Sequence, residues 1–293
     1  MIKGSIIPII TPFRDGNVDE KAFRSHIDWL IEQGSHGLVP CGTTGESATL
    51  SHTEHKRVTE ICIEQAARRV PVYAGAGSNS TREAIDFSKH AKEAGAEGLL
   101  IVAPYYNKPT QEGLYQHFKA INDAVDLPMI VYNIPGRVVV DIQVPTMKRI
   151  AELDHVEGVK DSTGDASRIS DQRLACGKDF IQLCGDDALA LGMGAHGAVG
   201  CVSVTANIAP KLCSAFQNAM AAGDFVKALD MHDKLMPLHR ALFCETSPAP
   251  VKYAASLMGL CSEEMRLPMV PISPASREKV RAAMIQVGIL PES

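Results

Sequence analysis

Aromatic side chains are scarce in this chain: one Trp, six Tyr and eight Phe, 5% of 293 residues. So few leave little material for the stacking platforms that grip single-stranded nucleic acid. Excess positive charge is missing too. Lys and Arg number 29 against 34 Asp and Glu, a formal net charge of -5, so no basic footprint for a phosphate backbone is present. No apolar run approaches the ~20 residues that a membrane-crossing helix needs. Met1 to Ile10 is apolar but short, contains Pro8, lacks a small-residue cleavage site and soon meets Arg14 and Asp15. It reads as a first strand and not as a targeting signal. The eight cysteines (Cys41, Cys62, Cys176, Cys184, Cys201, Cys213, Cys244 and Cys261) include no C-x-x-C pair. A chain this long can build its core without disulfides, so buried free thiols in a reducing cytoplasm are expected. Also absent are H-E-x-x-H, a P-loop, a Ser-His-Asp pattern and a G-x-G-x-x-G after the first strand.

What is present is a recurrence. Apolar strand-like runs occur at Ser5–Ile10, Gly37–Cys41, Val70–Ala74, Gly98–Ala103, Pro128–Asn133, Val156–Asp161, Phe180–Cys184 and Gly197–Val204. Their starts are 17 to 33 residues apart, and most of these gaps suit a strand-plus-helix unit. Near-continuous apolar runs mark parallel strands covered on both faces. Helix starts are legible between them. Ser51-His52-Thr53-Glu54 and Ser80-Thr81-Arg82-Glu83 fit the S/T-x-x-E capping box. Phe23, Ile27, Leu30 and Ile31 recur at helical spacing from Val18 to Gln33, before Gly34. Eight such units predict an α/β fold, a (β/α)8 TIM barrel over residues 1–223. A doubly wound open sheet is the competitor. From Asp224 the strand pattern stops. Phe225–Cys244, Pro248–Leu260 and Ser273–Val287 read as helices between Pro-rich breaks. Residues 224–293 are therefore expected to form a C-terminal helical extension packed on the barrel.

In such a barrel the chemistry belongs at the carboxyl ends of the strands. By alternation, Val156, Gly158 and Lys160 share one face of their strand. A lysine facing inward is unusual, because burial disfavours its charged form. A neutral amine can attack a carbonyl and form an imine, although a lysine there can also snorkel to the strand end. After the second strand, Gly42-Thr43-Thr44-Gly45-Glu46-Ser47 offers backbone N–H groups and hydroxyls to an anion, or is a plain glycine turn. After the fourth comes Pro104-Tyr105-Tyr106-Asn107, whose adjacent tyrosines cannot both point inward. The fifth ends Tyr132-Asn133-Ile134-Pro135-Gly136-Arg137. A tyrosine there can relay protons and an arginine can hold a carboxylate, or both are ordinary rim residues. Gly185-Asp186-Asp187 ends the seventh; paired aspartates can bind metal, but aspartate also caps helices. His52 and His55 have a spacing open to zinc, though a solvated first helical turn fits better.

Together these motifs resemble the dihydrodipicolinate synthase branch of the pyruvate-dependent class I aldolases, the family that includes N-acetylneuraminate lyase. Gly42-Thr43-Thr44-Gly45-Glu46, Pro104-Tyr105-Tyr106-Asn107, Tyr132-Asn133-Ile134-Pro135 and Val159-Lys160-Asp161 match in order, and the likeness covers essentially the whole chain. The resemblance implies a lyase of lysine (diaminopimelate) biosynthesis that joins pyruvate to aspartate semialdehyde, with no metal and no cofactor beyond the covalent pyruvate imine. It implies that Lys160 forms the imine and that Tyr132 is the central acid/base. Thr43 would link Tyr132 to Tyr106 of a neighbouring subunit. Thr44 and Gly185 would hold the pyruvate carboxylate, Val202 would line the pocket and Arg137 would bind the second substrate. It further implies a homotetramer and an inhibitory L-lysine site at Ser47, Ala48, His52, His55, Asn79, Glu83 and Tyr105. Two departures are visible: Val138 stands where relatives often carry Thr or Ser, and Asp161 where many carry Glu. The nearest alternative on the same scaffold is a pyruvate aldolase acting on a sugar acid or hydroxy-oxo acid; another is a silent barrel used for binding.

Overall fold

The eight apolar runs form eight parallel strands in the computed structural model, which describes residues 2–292. They are β1 (Gly4–Pro8), β2 (Gly37–Val39), β3 (Tyr73–Gly75), β4 (Gly98–Val102), β5 (Met129–Asn133), β6 (Val156–Asp161), β7 (Ile181–Cys184) and β8 (Gly200–Val202). Hydrogen bonding runs β2-β1-β8-β7-β6-β5-β4-β3. A parallel bridge between Leu38 and Val72 joins the two ends, so the sheet closes and the open-sheet alternative falls away. The third strand starts later than its apolar run because Pro71 has no N–H to give a ladder; its carbonyl still accepts from Leu38 N at 3.0 Å. At the ends of the first and eighth runs, Ile9, Ile10, Ser203 and Val204 stay buried without extending the strands.

The strand alternation separates two apolar regions. Ile2, Ile6, Val39, Tyr73, Leu100, Ile130, Tyr132, Ile181, Leu183 and Val202 fill the barrel interior. The outward side chains pack on the helices in two larger clusters. The interior is tight enough to dictate residue type. A Cβ at Gly158 would lie 2.2 Å from the Ile181 carbonyl oxygen, so only glycine lets β6 run this close to β7.

The helices are α1 (Glu20–Glu32), α2 (His52–Ala66), α3 (Thr81–Ala94), α4 (Gln111–Ala124), α5 (Pro135–Val138), α6 (Val144–Ala151), α7 (Ser167–Cys176), α8 (Ala190–His196) and α9 (Pro210–Ala221). The α1 helix begins two residues later than its apolar pattern, because Asn17–Val18 pairs with Phe13–Arg14 in a short hairpin. Asp19 then caps α1 by accepting from Ala22 N at 2.9 Å. At α2 the capping box is complete. At α3 only half of it forms: Ser80 accepts from Glu83 N, while the Glu83 carboxylate turns to Ser78 and His52.

Beyond α9 lie α10 (Phe225–Ala241), α11 (Ala249–Leu257) and α12 (Pro274–Val287). Leu235, Leu238, Val251, Ala254, Val280 and Met284 share one core with Ile7 and Ile9 of the first barrel segment and with Phe23 and Leu30 of α1. Burying a side chain of Leu, Ile or Val size is worth about 1.5–3 kcal/mol, so these helices are bound to the barrel by a shared core. All eight cysteines are free. Burial pushes the Cys41 thiol up to about 12 and raises Cys213 further, which suits packing and not nucleophilic chemistry. Among the described residues, no helix is long and apolar enough to cross a membrane.

Candidate active site

The barrel's register places Tyr132 of β5 directly beside Lys160 of β6. Both point inward and each is only 5% exposed. Lys160 Nζ lies 3.7 Å from the centroid of the Tyr132 ring, so the amine sits against an aromatic face instead of a carboxylate. Around them are the apolar side chains of Ile130, Leu183 and Val202. A lysine in this setting has no anion to hold it in a purely structural ion pair.

The next residue on each strand faces the opposite way, and both are fully buried in polar company. Asn133 donates from Nδ2 to Asp141 Oδ1 at 2.8 Å and accepts from Ile142 N at 3.2 Å. Asp161 Oδ1 accepts from Thr163 N at 2.9 Å and Thr163 Oγ1 at 2.6 Å, and its Oδ2 from Gln172 Nε2 at 3.1 Å. Arg168 of α7 donates to Asp141 Oδ2 at 2.9 Å and lies 3.5 Å from Asp161. The ends of β5 and β6 are therefore clamped from outside the barrel.

Two loops complete the rim. After β2 the chain turns sharply: Gly45 N donates to Gly42 O at 3.1 Å and Glu46 N to Thr43 O at 3.2 Å, with Thr44 buried. After β7, Gly185 N donates to Asp161 O at 2.8 Å. A Cβ on Gly185 would lie 3.1 Å from Lys160 Cε and 1.9 Å from Ser162 Oγ, so this backbone runs along the lysine side chain. Val202 ends β8, paired with Ile6.

Other residues singled out in the sequence are placed differently. Arg137, on α5, has an exposed side chain whose Nη2 donates to the Ser247 carbonyl at 3.2 Å; Val138 beside it is buried. Tyr106 is 88% exposed against 37% for Tyr105. Its φ of 73° is a left-handed conformation that a bulky residue rarely adopts. Within this chain it makes no hydrogen bond to Thr43. Asp186 accepts from Ala188 N at 2.9 Å, and Asp187 accepts from Ser203 and from Thr205 N at 3.1 Å, so both aspartates are taken up by local structure. His52 Nε2 pairs with Glu83 Oε1 at 2.6 Å. His55 is buried with its ring stacked 3.9 Å from Phe87. Burial, then the charges of His90 and His52, pull its pKa down to about 4. Asn79 accepts at its carbonyl from Asn107 Nδ2 at 2.9 Å, tying this region to the tyrosine loop. Ser47 and Ala48 form the turn Ser47–Thr49 just before α2. Among the described residues no His, Cys, Asp and Glu group is arranged to hold a metal. One feature without a counterpart in the sequence reading is Lys252, fully buried against Glu46.

A closed barrel with a buried amine beside a tyrosine at its carboxyl end has the parts that imine chemistry in a lyase requires. The comparisons narrow this. Residues 1–287 match the Dihydrodipicolinate synthetase family, and the chain belongs to that family. It is 61% identical over 290 residues to the 4-hydroxy-tetrahydrodipicolinate synthase of Parvibaculum lavamentivorans, covering 99% of this chain and all of the relative. The pyruvate-complexed, chloride-inhibited dihydrodipicolinate synthase of Acinetobacter baumannii superposes with a TM-score of 0.97 at 47% identity, over 99% of this chain and 100% of that one. A lysine-bound enzyme from Cyanidioschyzon merolae gives 0.95 at 36% identity, over 98% and 99%.

Proposed function

We propose that this chain is a 4-hydroxy-tetrahydrodipicolinate synthase, condensing pyruvate with L-aspartate 4-semialdehyde in lysine biosynthesis through an imine on Lys160. The observation that carries the site assignment is Lys160 Nζ against the Tyr132 ring inside the barrel. The amine attacks the pyruvate carbonyl and water leaves. The cationic imine acidifies the methyl group, and the resulting enamine attacks the aldehyde carbon, whose oxygen becomes a hydroxyl. The amine of the semialdehyde portion then displaces Lys160 as the ring closes, so the sequence consumes both substrates and releases one water.

Tyr132 moves the protons, with Thr43 relaying to a Tyr106 donated by a second copy of the chain. Thr44 and Gly185 receive the pyruvate carboxylate at the β2 and β7 loops. Val202 walls the pocket, and Arg137, with its exposed guanidinium, holds the carboxylate of the semialdehyde. The exposure and left-handed backbone of Tyr106 support its use outside its own chain, since such strain persists where a function requires it. Assembly as a homotetramer would provide that second copy. Ser47, Ala48, His52, His55, Asn79, Glu83 and Tyr105 form the L-lysine site. The Glu83 carboxylate, already collecting Ser78 and His52, is the group there that an ammonium would seek. Residues 1–223 serve as the catalytic barrel and 224–293 as an extension, working in a reducing cytoplasm.

The test is trapping. Borohydride with pyruvate should leave a reduced three-carbon adduct on Lys160 alone, and a coupled assay should show turnover with aspartate semialdehyde in preference to other aldehydes. An adduct on a different lysine, or none, would end the imine assignment.

A further inference from the structure

The turn that carries Thr43 and Thr44 is held by the far end of the chain. Lys252 of α11 has no exposed surface, and Glu46 is 5% exposed. Lys252 Nζ donates to Glu46 Oε1 at 2.6 Å across 206 residues of sequence. The other carboxylate oxygen accepts from Arg266 N at 3.3 Å. Arg266 goes on to bind the Thr49 carbonyl at 3.0 Å and the Glu54 carboxylate at 2.9 Å. The Lys252 ammonium and the Arg266 guanidinium both lie over the Phe13 ring, at 4.3 and 4.5 Å. Burial pulls the Lys252 pKa down while the Glu46 charge pushes it back up.

Such a pair is a poor device for stability. Each ion gives up several kcal/mol of hydration, and an apolar pair of similar volume often serves as well or better. What an ion pair with every carboxylate oxygen engaged does supply is one fixed position. Glu46 takes a left-handed φ of 55°, and its N–H is bonded to the Thr43 carbonyl. Its side chain is thus coupled directly to the turn. We infer that Lys252 is a positioning residue: acting through Glu46, it sets the Thr43–Thr44 turn where the pyruvate carboxylate must land, which makes the C-terminal helices part of the active-site machinery. This rests on the assignment of that turn to pyruvate.

The experiment compares Lys252→Met, Glu46→Gln and the double variant with the native enzyme. Each is checked by circular dichroism and thermal unfolding. Each single variant leaves a buried charge alone and should melt lower. The double removes both charges at nearly constant volume and should recover most of that loss. A positioning role predicts that KM for pyruvate stays raised at least tenfold in the double, with KM for the semialdehyde within twofold of native. The pyruvate concentration needed for half-maximal borohydride trapping should rise in parallel. A pyruvate KM that returns to the native value together with the melting temperature would show that the pair only packs, and would overturn the inference. So would a native pyruvate KM in any variant that folds. If the native enzyme itself gives no adduct at Lys160, it is the assignment of the reaction that fails. Native trapping with an unaltered pyruvate dependence in the double variant sinks the role of Lys252 alone.

Discussion

Replacing Gly185 by alanine tests how closely the β7 loop is fitted to the reacting amine. The added Cβ would fall 1.9 Å from Ser162 Oγ, against 3.4 Å for ordinary contact. That hydroxyl has no hydrogen-bond partner, so rotating it away breaks nothing. The Asp161 carbonyl oxygen and Lys160 Cε, both at 3.1 Å, must each yield by a few tenths of an ångström. Asp161 is fastened by three donors, so the softer Lys160 chain takes the displacement. Overpacking of this kind costs about 1–3 kcal/mol, which lowers the melting temperature by roughly 2–5 °C at about 2.1 cal/mol/K of unfolding entropy per residue. The chemical effect should be larger than the stability effect, because a misplacement of about 1 Å can cost a hundredfold in rate. We expect kcat/KM to fall at least tenfold and the borohydride adduct to form more slowly. Adding Ser162→Gly to Gly185→Ala should restore neither the melting temperature nor the rate, since the Asp161 and Lys160 contacts remain. A Gly185→Ala enzyme with kcat/KM within twofold of native and unslowed trapping would refute the reasoning.

Three further outcomes follow from the same geometry. Arg137→Ala removes one hydrogen bond to the Ser247 carbonyl and should leave the fold nearly unchanged. Loss of a charge-assisted contact to the second substrate, about 1.5–3 kcal/mol, should raise KM for the semialdehyde at least tenfold; an equal rise for pyruvate would deny it that role. Inactive Tyr106→Phe and inactive Lys160→Ala subunits, mixed until mass spectrometry shows exchange, should regain activity because one site of a mixed dimer receives neither defect. Confirmed exchange without activity would return Tyr106 to its own chain. Finally, His26, His55 and His117 are each held near a pKa of about 4, chiefly by burial. They are neutral in the fold, while the unfolded chain takes up protons below about 6.5. Their contribution is complete above pH 6.5 and is lost as pH falls towards 4, at up to about 1.4 kcal/mol per pH unit for each. Urea midpoints should decline across that window, and His117→Gln should flatten the decline; an unchanged slope would count against it.

Much of this was legible from local pattern. Parallel strands covered on both faces must be apolar throughout, so their positions showed as runs, and inward Lys160 showed as the exception. The capping box at Ser51 and Glu54 was readable because both partners lie within one turn. The second box was half wrong because Glu83 has competing partners, His52 and Ser78, one of them from another helix. Lys252 was missed for a related reason: its counterion is 206 residues away. A local cue did exist. Lys252 is the only charged residue in the helix Ala249–Leu257, and a lone charge in an otherwise apolar helix must find a partner wherever that helix is buried.

The alternation that sets Tyr132 beside Lys160 also explains how the two are held. Around Tyr132 and Lys160 are the aliphatic side chains of Ile130, Leu183 and Val202, which can pack an amine but cannot orient it by hydrogen bonds. Orientation must come through the backbone, from residues one step along each strand and therefore on the outer face. Asn133 and Asp161 occupy those positions, and they are satisfied by Asp141, Thr163 and Gln172. At the β2 loop the same task falls to Glu46, satisfied by Lys252 and Arg266 from the C-terminal helices. The carboxyl end of the barrel is thus kept apolar within and polar without. The groups that fix its geometry come from the β6–α7 connection, α7, the α5–α6 connection and the chain after Asp224, and not from the strands themselves.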